Sequence, residues 1–389
     1  MKSTGSIRRI ATLAALGLAA NLLVACAGGG EKAKPAELAS NAPRLGVRLA
    51  WMANIGAVNF PLDIATANVN TAGNAIFTVA NNDGVVASFD ATNGRQIWRA
   101  QAGKPLAAGV GTGSGALASY TTVVTNTNEL IAFNNGSETW RQKLGNSSNT
   151  APLVANGKVF VLGADRAISV FDLADGKKLW SQKKSAEALT LRQAGVLLMV
   201  SDTLVSSASG RLVGINTLDG SVRWSTPIAT ARGTNEIERL VDLVGRVSNN
   251  GDVVCARAYR VNIGCVNTLR GNLLWTKPAV GQEGVQADAS TLFGSETDGK
   301  VIAWNRVNGE RLWQTEQLLN RNLSAPAVLD KAIAVGDSTG LVHFLSKTDG
   351  SSLNRMTTDG SAMAAAPVVV GNTLVVVTRD GGVFGFIAE

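Results

Sequence analysis

The stretch GVVASFDATNGRQIW, residues 84–98, contains the pattern that decides the fold. It follows a tight turn at Asp83-Gly84, where glycine readily takes the positive φ that such a turn requires. An apolar strand comes next, and Gly94 then precedes Trp98 by four positions. The stretch therefore predicts two β-strands joined by a second hairpin turn.

The same Gly-x-x-x-Trp spacing recurs along the chain. It occurs at Gly94/Trp98, Gly136/Trp140, Gly176/Trp180, Gly220/Trp224, Gly271/Trp275 and Gly309/Trp313. Successive glycines, counted on to Gly350, are 42, 40, 44, 51, 38 and 41 residues apart. A period of this length is typical of a four-stranded propeller blade. The seventh copy has Asn354 where the others have tryptophan.

The strand before each of these turns has two apolar residues three positions apart, in eight copies. The pairs are Val86/Phe89, Leu130/Phe133, Ile168/Phe171, Leu212/Ile215, Ile263/Val266, Val301/Trp304, Val342/Leu345 and Val383/Phe386. Only three residues follow the eighth copy, so its blade lacks a fourth strand, and residues 46–51 (GVRLAW) can supply one. We therefore predict an all-β, eight-bladed β-propeller over residues 46–389, closed by pairing of this N-terminal strand with the C-terminal blade.

Aromatic residues and the single histidine are assigned to structure rather than to chemistry. Seven of the eight tryptophans recur at fourth-strand positions and are predicted to pack between neighbouring blades, whereas Trp304 belongs to the third-strand core. His343 is the only histidine, and its strand position is predicted to face outwards. The sequence shows no catalytic triad that avoids His343, no phosphate loop and no metal cluster. We expect a binding protein without catalytic residues, metal or cofactor.

The first 25 residues predict a signal peptide. Three basic residues precede an apolar stretch at residues 10–24. The sequence Leu23-Val24-Ala25-Cys26 resembles the bacterial lipobox, which implies cleavage before Cys26 and acylation of that residue; an ordinary secretory signal is the alternative. Acyl chains at about 0.8 kcal/mol per buried CH₂ would give a stable anchor. Ala27 in place of Asp implies, by the same resemblance, the periplasmic side of the outer membrane.

Residues 26–45 are predicted to be a lipidated cysteine and a flexible tether, because they are small, polar and contain proline. Fully extended, residues 27–45 would reach about 65 Å. Removal of the signal lowers the formal charge from +7 to +4, since the signal carries three basic residues and no acid. A charge this small, without a basic cluster, gives no support for nucleic-acid binding.

Two cysteines remain after Cys26. Cys255 and Cys265 flank a predicted hairpin turn near Tyr259-Arg260, and an even number of cysteines is typical of an oxidising compartment. They are candidates for a disulfide if the turn register places them face to face. With one histidine they are too few for a structural zinc site.

The glycine and tryptophan repeat resembles that of pyrroloquinoline-quinone (PQQ) enzymes. This resemblance implies one hypothesis for function, a quinoprotein dehydrogenase, with an adjacent pair of cysteines over the cofactor and a calcium site with a catalytic Asp. No two cysteines are adjacent in this chain. Because a shared fold does not transmit chemistry, the enzyme is kept only as the alternative.

The lipobox, the eight repeats and two connecting segments together resemble the BamB family, lipoproteins of the outer-membrane β-barrel assembly (BAM) machinery. The first segment is ALTLR, residues 188–192, and matches a family stretch that contacts the partner BamA. The resemblance implies this role for Leu189, Leu191 and Arg192. The second segment, residues 234–244, matches another family stretch and adds Arg239 and Asp242. Val244 replaces the second closing acid of that stretch.

Both segments connect a predicted fourth strand to the next blade, so both are expected on one face. The longest repeat interval contains the second segment, and extra loop length often serves function. The resemblance implies a scaffold at the outer membrane that binds BamA and aids insertion of β-barrel proteins. Unfolded substrate chains are a further expected partner, through addition to exposed strand edges. An unrelated envelope scaffold lipoprotein remains an alternative.

Overall fold

A computed structural model describes residues 33–60, 62–67, 75–114, 119–182, 191–230 and 241–389. In these residues the secondary structure is β-strand, arranged in eight antiparallel sheets of four strands. The sheets are the blades of an eight-bladed propeller, as predicted. In most pairs of neighbouring blades, the first strands of the two blades contact each other. The predicted signal peptide, Cys26 and the start of the predicted tether (residues 1–32) lie outside the described part of the chain. So do residues 183–190 and 231–240, which include parts of the two candidate segments.

The strands follow the chain in order, apart from the strand that closes the ring. Blades 1 and 2 consist of β2 (Ala65–Ala67), β3 (Ile76–Ala80), β4 (Val85–Asp90) and β5 (Gln96–Gln101), then β6 (Gly111–Ser114), β7 (Ser119–Val124), β8 (Glu129–Asn134) and β9 (Ser137–Lys143). Blades 3 and 4 consist of β10 (Leu153–Ala155), β11 (Lys158–Leu162), β12 (Ile168–Asp172) and β13 (Lys178–Gln182), then β14 (Leu197–Val200), β15 (Thr203–Ala208), β16 (Arg211–Asn216) and β17 (Val222–Pro227).

The second half of the ring repeats this plan. Blades 5 and 6 consist of β18 (Leu243–Asn250), β19 (Val253–Ala258), β20 (Asn262–Asn267) and β21 (Asn272–Pro278), then β22 (Val285–Ala287), β23 (Thr291–Ser295), β24 (Val301–Asn305) and β25 (Arg311–Thr315). Blades 7 and 8 consist of β26 (Ala327–Val328), β27 (Ala332–Gly336), β28 (Leu341–Ser346) and β29 (Ser352–Thr357), then β30 (Val368–Val370), β31 (Thr373–Val377), β32 (Gly382–Ala388) and β1 (Val47–Asn54).

The repeated residues form the core and the blade interfaces. All eight predicted apolar pairs of the third strands are buried. In seven blades the residue just before the second member of the pair is opposite the tryptophan of the fourth strand, as in Ala132↔Trp140 and Gly214↔Trp224. Each such tryptophan lies against the turn glycine of the next blade: a Cβ at Gly176 would be 2.6 Å from Cδ2 of Trp140. The predicted packing of these tryptophans between blades is therefore confirmed.

The N-terminal strand closes the ring in the register of the other fourth strands. β1 pairs antiparallel with β32, from Val47↔Ala388 to Asn54↔Gly382. Trp51 is opposite Gly385, and the register shifts beside it as it does beside the tryptophan of β5. The Trp51 indole N–H donates to the carbonyl of Ala91 in blade 1, at 2.9 Å. The first strand in the sequence thus serves as the fourth strand of the last blade.

Two predictions about single residues have different outcomes in the structure. Cys255 and Cys265 are directly opposite in β19 and β20 and are joined by a disulfide. The prediction that His343 faces outwards is wrong, because its side chain is 3% exposed. Its Nε2 lies 2.9 Å from Oδ2 of Asp337, and this buried carboxylate gives the ring a polar partner inside the blade.

Residues 36–45 differ from the predicted tether, and we call them the N-terminal strap. They lie along β29, the outer strand of blade 7, and hydrogen-bond to it through backbone and side chains. The Ala36 amide donates to the Leu319 carbonyl, and the Arg44 amide donates to the Leu353 carbonyl. The strap therefore belongs to the folded body, as does the rest of the compact unit Ala36–Glu389.

Candidate partner-binding site

The connections from each fourth strand to the first strand of the next blade share one face of the ring. Because the strands within each blade are antiparallel, this face also carries the turns between second and third strands. We call it the connection face; the turns between third and fourth strands form the opposite face. The described residues of the two candidate segments that lie in such connections are Leu191 and Arg192, before β14, and residues 241–242, before β18. Leu189 and Arg239 lie outside the described residues.

Asp242 occupies the interior of this face. Its side chain is 3% exposed although the family resemblance places it among partner-contacting residues. One carboxylate oxygen, Oδ2, accepts the backbone N–H of Leu191 at 2.7 Å. The other, Oδ1, accepts a hydrogen bond from Nη2 of Arg166, and the two side chains form an ion pair. Asp242 is thus placed to hold the two candidate segments together from below rather than to touch a partner.

Arg166 is a site residue that sequence reasoning missed. It comes from the turn between β11 and β12 of blade 3, is 7% exposed and has a φ of 62°. This left-handed conformation is uncommon for residues other than glycine. The pairing spans 76 residues and joins blade 3 to the segment before blade 5. No local pattern marks such a contact, since it depends on how the ring brings distant blades together.

The accessible part of the site lies just above this ion pair. Leu191 is half-buried and Arg192 is exposed. Gln193 Nε2 donates to the carbonyl of Gln282 at 3.4 Å, and the Gly245 amide donates to the carbonyl of Ala194 at 2.6 Å. These two hydrogen bonds hold the backbone that follows Arg192 against blade 5 and its connection to blade 6. The site therefore presents one apolar and one cationic side chain from a braced loop.

Val244 is buried at the start of β18, opposite Arg257. It is 3% exposed, so the residue that stands in place of the second family acid has no access to solvent. The apolar side chain suits this environment, because an unpaired carboxylate there would carry a large desolvation cost. The acidic part of the site in this chain is Asp242 alone among the described residues of the two segments.

A central cavity of about 770 Å³ opens beside Arg192. Its charged lining residues are Asp63, Arg192, Arg246, Glu283 and Arg379. Burial raises the pKa of the Asp63 carboxyl, and the positive charge of Arg246 opposes this rise. Burial likewise raises the pKa of Glu283, again opposed by nearby arginines. Charges of both signs at the cavity favour polar contacts, unlike the mostly apolar lining typical of small-molecule sites.

The described residues were not found to form a metal site or a membrane-spanning helix. Within them, no group of three His, Cys, Asp or Glu side chains is placed to hold a metal ion. The described residues also contain no helix of the length and apolarity needed to cross a bilayer. The described residues form a surface loop at Leu191 and Arg192, held by Asp242, beside a cavity with a charged lining.

A family model, curated relatives and one solved structure share a single family name. A family model described as "Outer membrane protein assembly factor BamB" matches residues 82–315. The protein of that name from Burkholderia pseudomallei (strain K96243) is 34% identical over 388 residues, which is 98% of each chain. That from Bordetella pertussis (strain Tohama I / ATCC BAA-589 / NCTC 13251) is 34% identical over 354 residues, 90% of this chain and 89% of the relative. The crystal structure of BamB from Moraxella catarrhalis matches with a TM-score of 0.76 and 25% identity, covering 88% of this chain and 99% of that one.

Proposed function

This chain belongs to the BamB family of outer membrane protein assembly factors, and from that premise we propose that it is a non-enzymatic scaffold for the assembly of β-barrel proteins in the outer membrane. It is attached through lipidated Cys26 after removal of residues 1–25, and works on the periplasmic side. Its partner is the periplasmic part of BamA. The contact surface comprises Leu189, Leu191, Arg192 and Arg239 on the connection face.

The observation that carries this proposal is the bracing of the Leu191 loop by Asp242. A rigid loop loses less conformational entropy on binding than a mobile one, so more of its contact energy appears as affinity. Leu191 and Arg192 give such a loop an apolar group for burial and a planar cation for register. Asp242 and Arg166 are the positioning residues of this surface, because both are buried beneath it.

The non-enzymatic part of the proposal is supported by the cysteines. After Cys26, only Cys255 and Cys265 remain in the chain, and they are paired across β19 and β20. They therefore cannot form the adjacent pair that the dehydrogenase hypothesis implies. Purified protein should accordingly show no quinone absorbance, and a bound quinone at equal molar amount would contradict this part.

Co-purification from detergent extracts of the envelope tests the partner surface. Leu191→Ala with Arg192→Ala should weaken BamA capture by about 100-fold, since hot-spot residues each contribute at least about 1 to 2 kcal/mol. Leu218→Ala is the matched control, because Leu218 is 76% exposed on the opposite face. Unchanged BamA capture by the folded double variant would show that this surface is wrong.

Arg166→Met distinguishes residues that position the Leu191 loop from residues that contact BamA directly. This variant removes the cation that pairs with the buried Asp242 carboxylate, so the support that Asp242 gives the Leu191 loop is weakened while Leu191 and Arg192 stay in the sequence. BamA capture should fall, and Arg166→Met with Asp242→Leu, which removes both charges, should recover folding stability but not full capture. Full capture by Arg166→Met would show that the brace is irrelevant to binding.

The proposal extends to unfolded barrel-protein segments, which would add to the outer strands of the blades. Those strands expose apolar side chains in the described structure, including Ile97, Leu179, Leu274 and Leu312. An extended peptide can pair with an unoccupied strand edge and place alternate side chains against such residues. Photo-crosslinkers at Leu179 and Leu312 should capture nascent barrel proteins in cells; capture equal to that at the exposed turn residue Leu218 would contradict strand addition.

A further inference from the structure

The N-terminal strap is bonded to the propeller at both of its ends. At the first end, the Ala36 amide donates to the Leu319 carbonyl at 2.9 Å, and Nη1 of Arg321 donates to the Ala36 carbonyl at 2.8 Å. At the other end, the Arg44 amide donates to the Leu353 carbonyl at 2.7 Å. The strap is therefore fixed where it meets the propeller and where it leads into β1.

Side chains also hold the middle of the strap. Leu38 packs against the apolar core between blades 6 and 7. Asn41 donates from Nδ2 to Oδ1 of Asn354 and to the carbonyl of Arg355, both at 3.1 Å. Arg355 donates in turn to the carbonyl of Ala39. The strap thus follows one defined path along β29, the outer strand of blade 7.

This path moves the chain from one face of the ring to the other. β1 starts at Val47, opposite Ala388 at the end of β32, and that end lies on the opposite face. Leu319 and Arg321, which hold Ala36, lie in the connection between β25 and β26, on the connection face. Without the strap the chain would reach the ring on the opposite face; with it, the chain reaches the ring on the face that carries Leu191 and Arg192.

We propose that the strap fixes the orientation of the propeller on the membrane, turning the connection face toward the phospholipid surface. The inference rests on the proposed lipidation of Cys26. Nine residues lie between Cys26 and Ala36, so this leash of ten residue steps reaches about 35 Å when fully extended, roughly half the reach of the whole predicted tether. A short leash on the connection face keeps that face near the bilayer and near any partner embedded in it.

The test measures which face lies nearer the lipid. The mature lipidated protein is reconstituted in a supported bilayer with an energy acceptor on the lipid headgroups. A donor dye is introduced through a non-natural residue at Asp83, in a connection-face turn, or at Leu218, on the opposite face. Energy transfer should be clearly stronger from Asp83 than from Leu218. Equal transfer from both positions would overturn the proposal.

A strap variant makes the test specific. Leu38→Asp with Asn41→Ala removes the apolar packing of Leu38 and the hydrogen bonds from the Asn41 side chain, and changes no residue of the blades. The difference between the two dye positions should then disappear or reverse, because the leash doubles and starts at β1. Ser40→Ala, an exposed position of the strap, is the control and should keep the difference. An unchanged difference in the double variant would also overturn the proposal.

Two further measurements separate this inference from the proposed function. Intact mass reports acylation of Cys26, so a missing lipid is recognised as a failure of the anchor and not of the strap. Hydrogen exchange on the lipid-free chain reports the strap alone: the amides of Ala36, Arg44 and Leu45 should be protected, and should lose protection in Leu38→Asp with Asn41→Ala. Unprotected amides in the unaltered chain would overturn the strap even if BamA capture is intact.

Discussion

The interface between blades 2 and 3 and the interface between blades 7 and 8 solve one packing problem in two ways. Between blades 2 and 3, Trp140 fills the gap. It lies opposite Ala132, its ring covers Gly176 of the next blade, and its indole N–H donates to the Leu173 carbonyl at 2.8 Å. A small residue, a large ring and a turn glycine form one unit that repeats around the ring.

Between blades 7 and 8 all three parts are different. Asn354 stands in the tryptophan position and is opposite Phe344, a large residue where other blades have a small one. Blade 8 has no turn between its third and fourth strands, because its third strand is β32, the last strand in the sequence, and its fourth is β1, the first. There is consequently no turn glycine for a ring to cover. Asn354 instead donates to the Leu45 carbonyl of the strap at 2.8 Å.

The loss of the seventh tryptophan is therefore a consequence of how the ring closes. The strap occupies the place that a turn occupies elsewhere, and it needs a hydrogen-bonding side chain rather than an indole. Phe344 restores apolar volume from the third strand and packs with the core of blades 7 and 8. We call this interface, together with the strap, the closing seam.

The largest expected effect comes from removing the fourth-strand residue at each interface. Trp140→Ala should lower the free energy of unfolding by about 3–5 kcal/mol, since it opens a cavity between two blades. Asn354→Ala should cost about 1–2 kcal/mol, because it removes the hydrogen bonds with Leu45 and Asn41 of the strap, each of which contributes about 1 kcal/mol net. Denaturant unfolding of both variants measures the contrast. Equal losses would mean that the seam carries the same packing unit as the other interfaces.

A smaller effect is expected when the missing tryptophan is put back. Asn354→Trp should destabilise the protein by about 1–3 kcal/mol, because the ring meets Phe344 and the strap instead of a glycine turn. Combining it with Phe344→Ala should cost less than the sum of the two single changes, by at least about 0.5 kcal/mol, since the residues are direct neighbours. A stabilising Asn354→Trp would contradict the topological explanation.

The regular interfaces could be predicted from the sequence, and so could ring closure. The interfaces follow from a pattern within one repeat, the spacing from Gly94 to Trp98. Ring closure follows from the last repeat, which lacks a fourth strand, and from the Trp-containing strand before the first repeat that can supply it. Strand registers are set by such local patterns, because a slip of one residue would turn every apolar side chain outwards. Trp51 falls opposite Gly385 for this reason.

The polar interior could not be predicted. Arg166 and Asp242 are 76 residues apart, and nothing near either one indicates the other. The position of His343 on its strand predicts an outward side chain, and a single histidine gives no sign of a buried partner; its partner Asp337 is in a turn six residues earlier. The strap could not be predicted either, because its contacts with blade 7 are also distant in the sequence. Its small and polar residues are typical of a flexible tether.

Acid should affect the closing seam more than the regular interfaces, and this is the smallest effect expected. Burial alone raises the pKa of Asp337, but hydrogen bonds from His343 and Arg321 outweigh it and hold that pKa well below its ordinary value. Arg321 also donates to the strap at Ala36. The charge of Asp337 therefore supports both blade 7 and the strap, whereas Trp140 contributes through contacts that carry no charge.

A carboxyl group whose pKa is lower in the folded than in the unfolded protein stabilises the fold fully above its unfolded pKa, about 4, and loses that contribution as the pH falls toward the folded value. Between pH 4 and pH 2.5, the unfolding free energy should fall more steeply in the unaltered protein than in Asp337→Asn, by on the order of 1 kcal/mol. Trp140→Ala should keep the steeper slope, because it removes no titrating group. If Asp337→Asn and the unaltered protein lose stability in parallel, the seam is no more sensitive to acid than the interfaces built on tryptophan. If Asp337→Asn flattens the slope and also leaves the Ala36 amide unprotected at neutral pH, the same carboxylate supports the blade and, through Arg321, the strap.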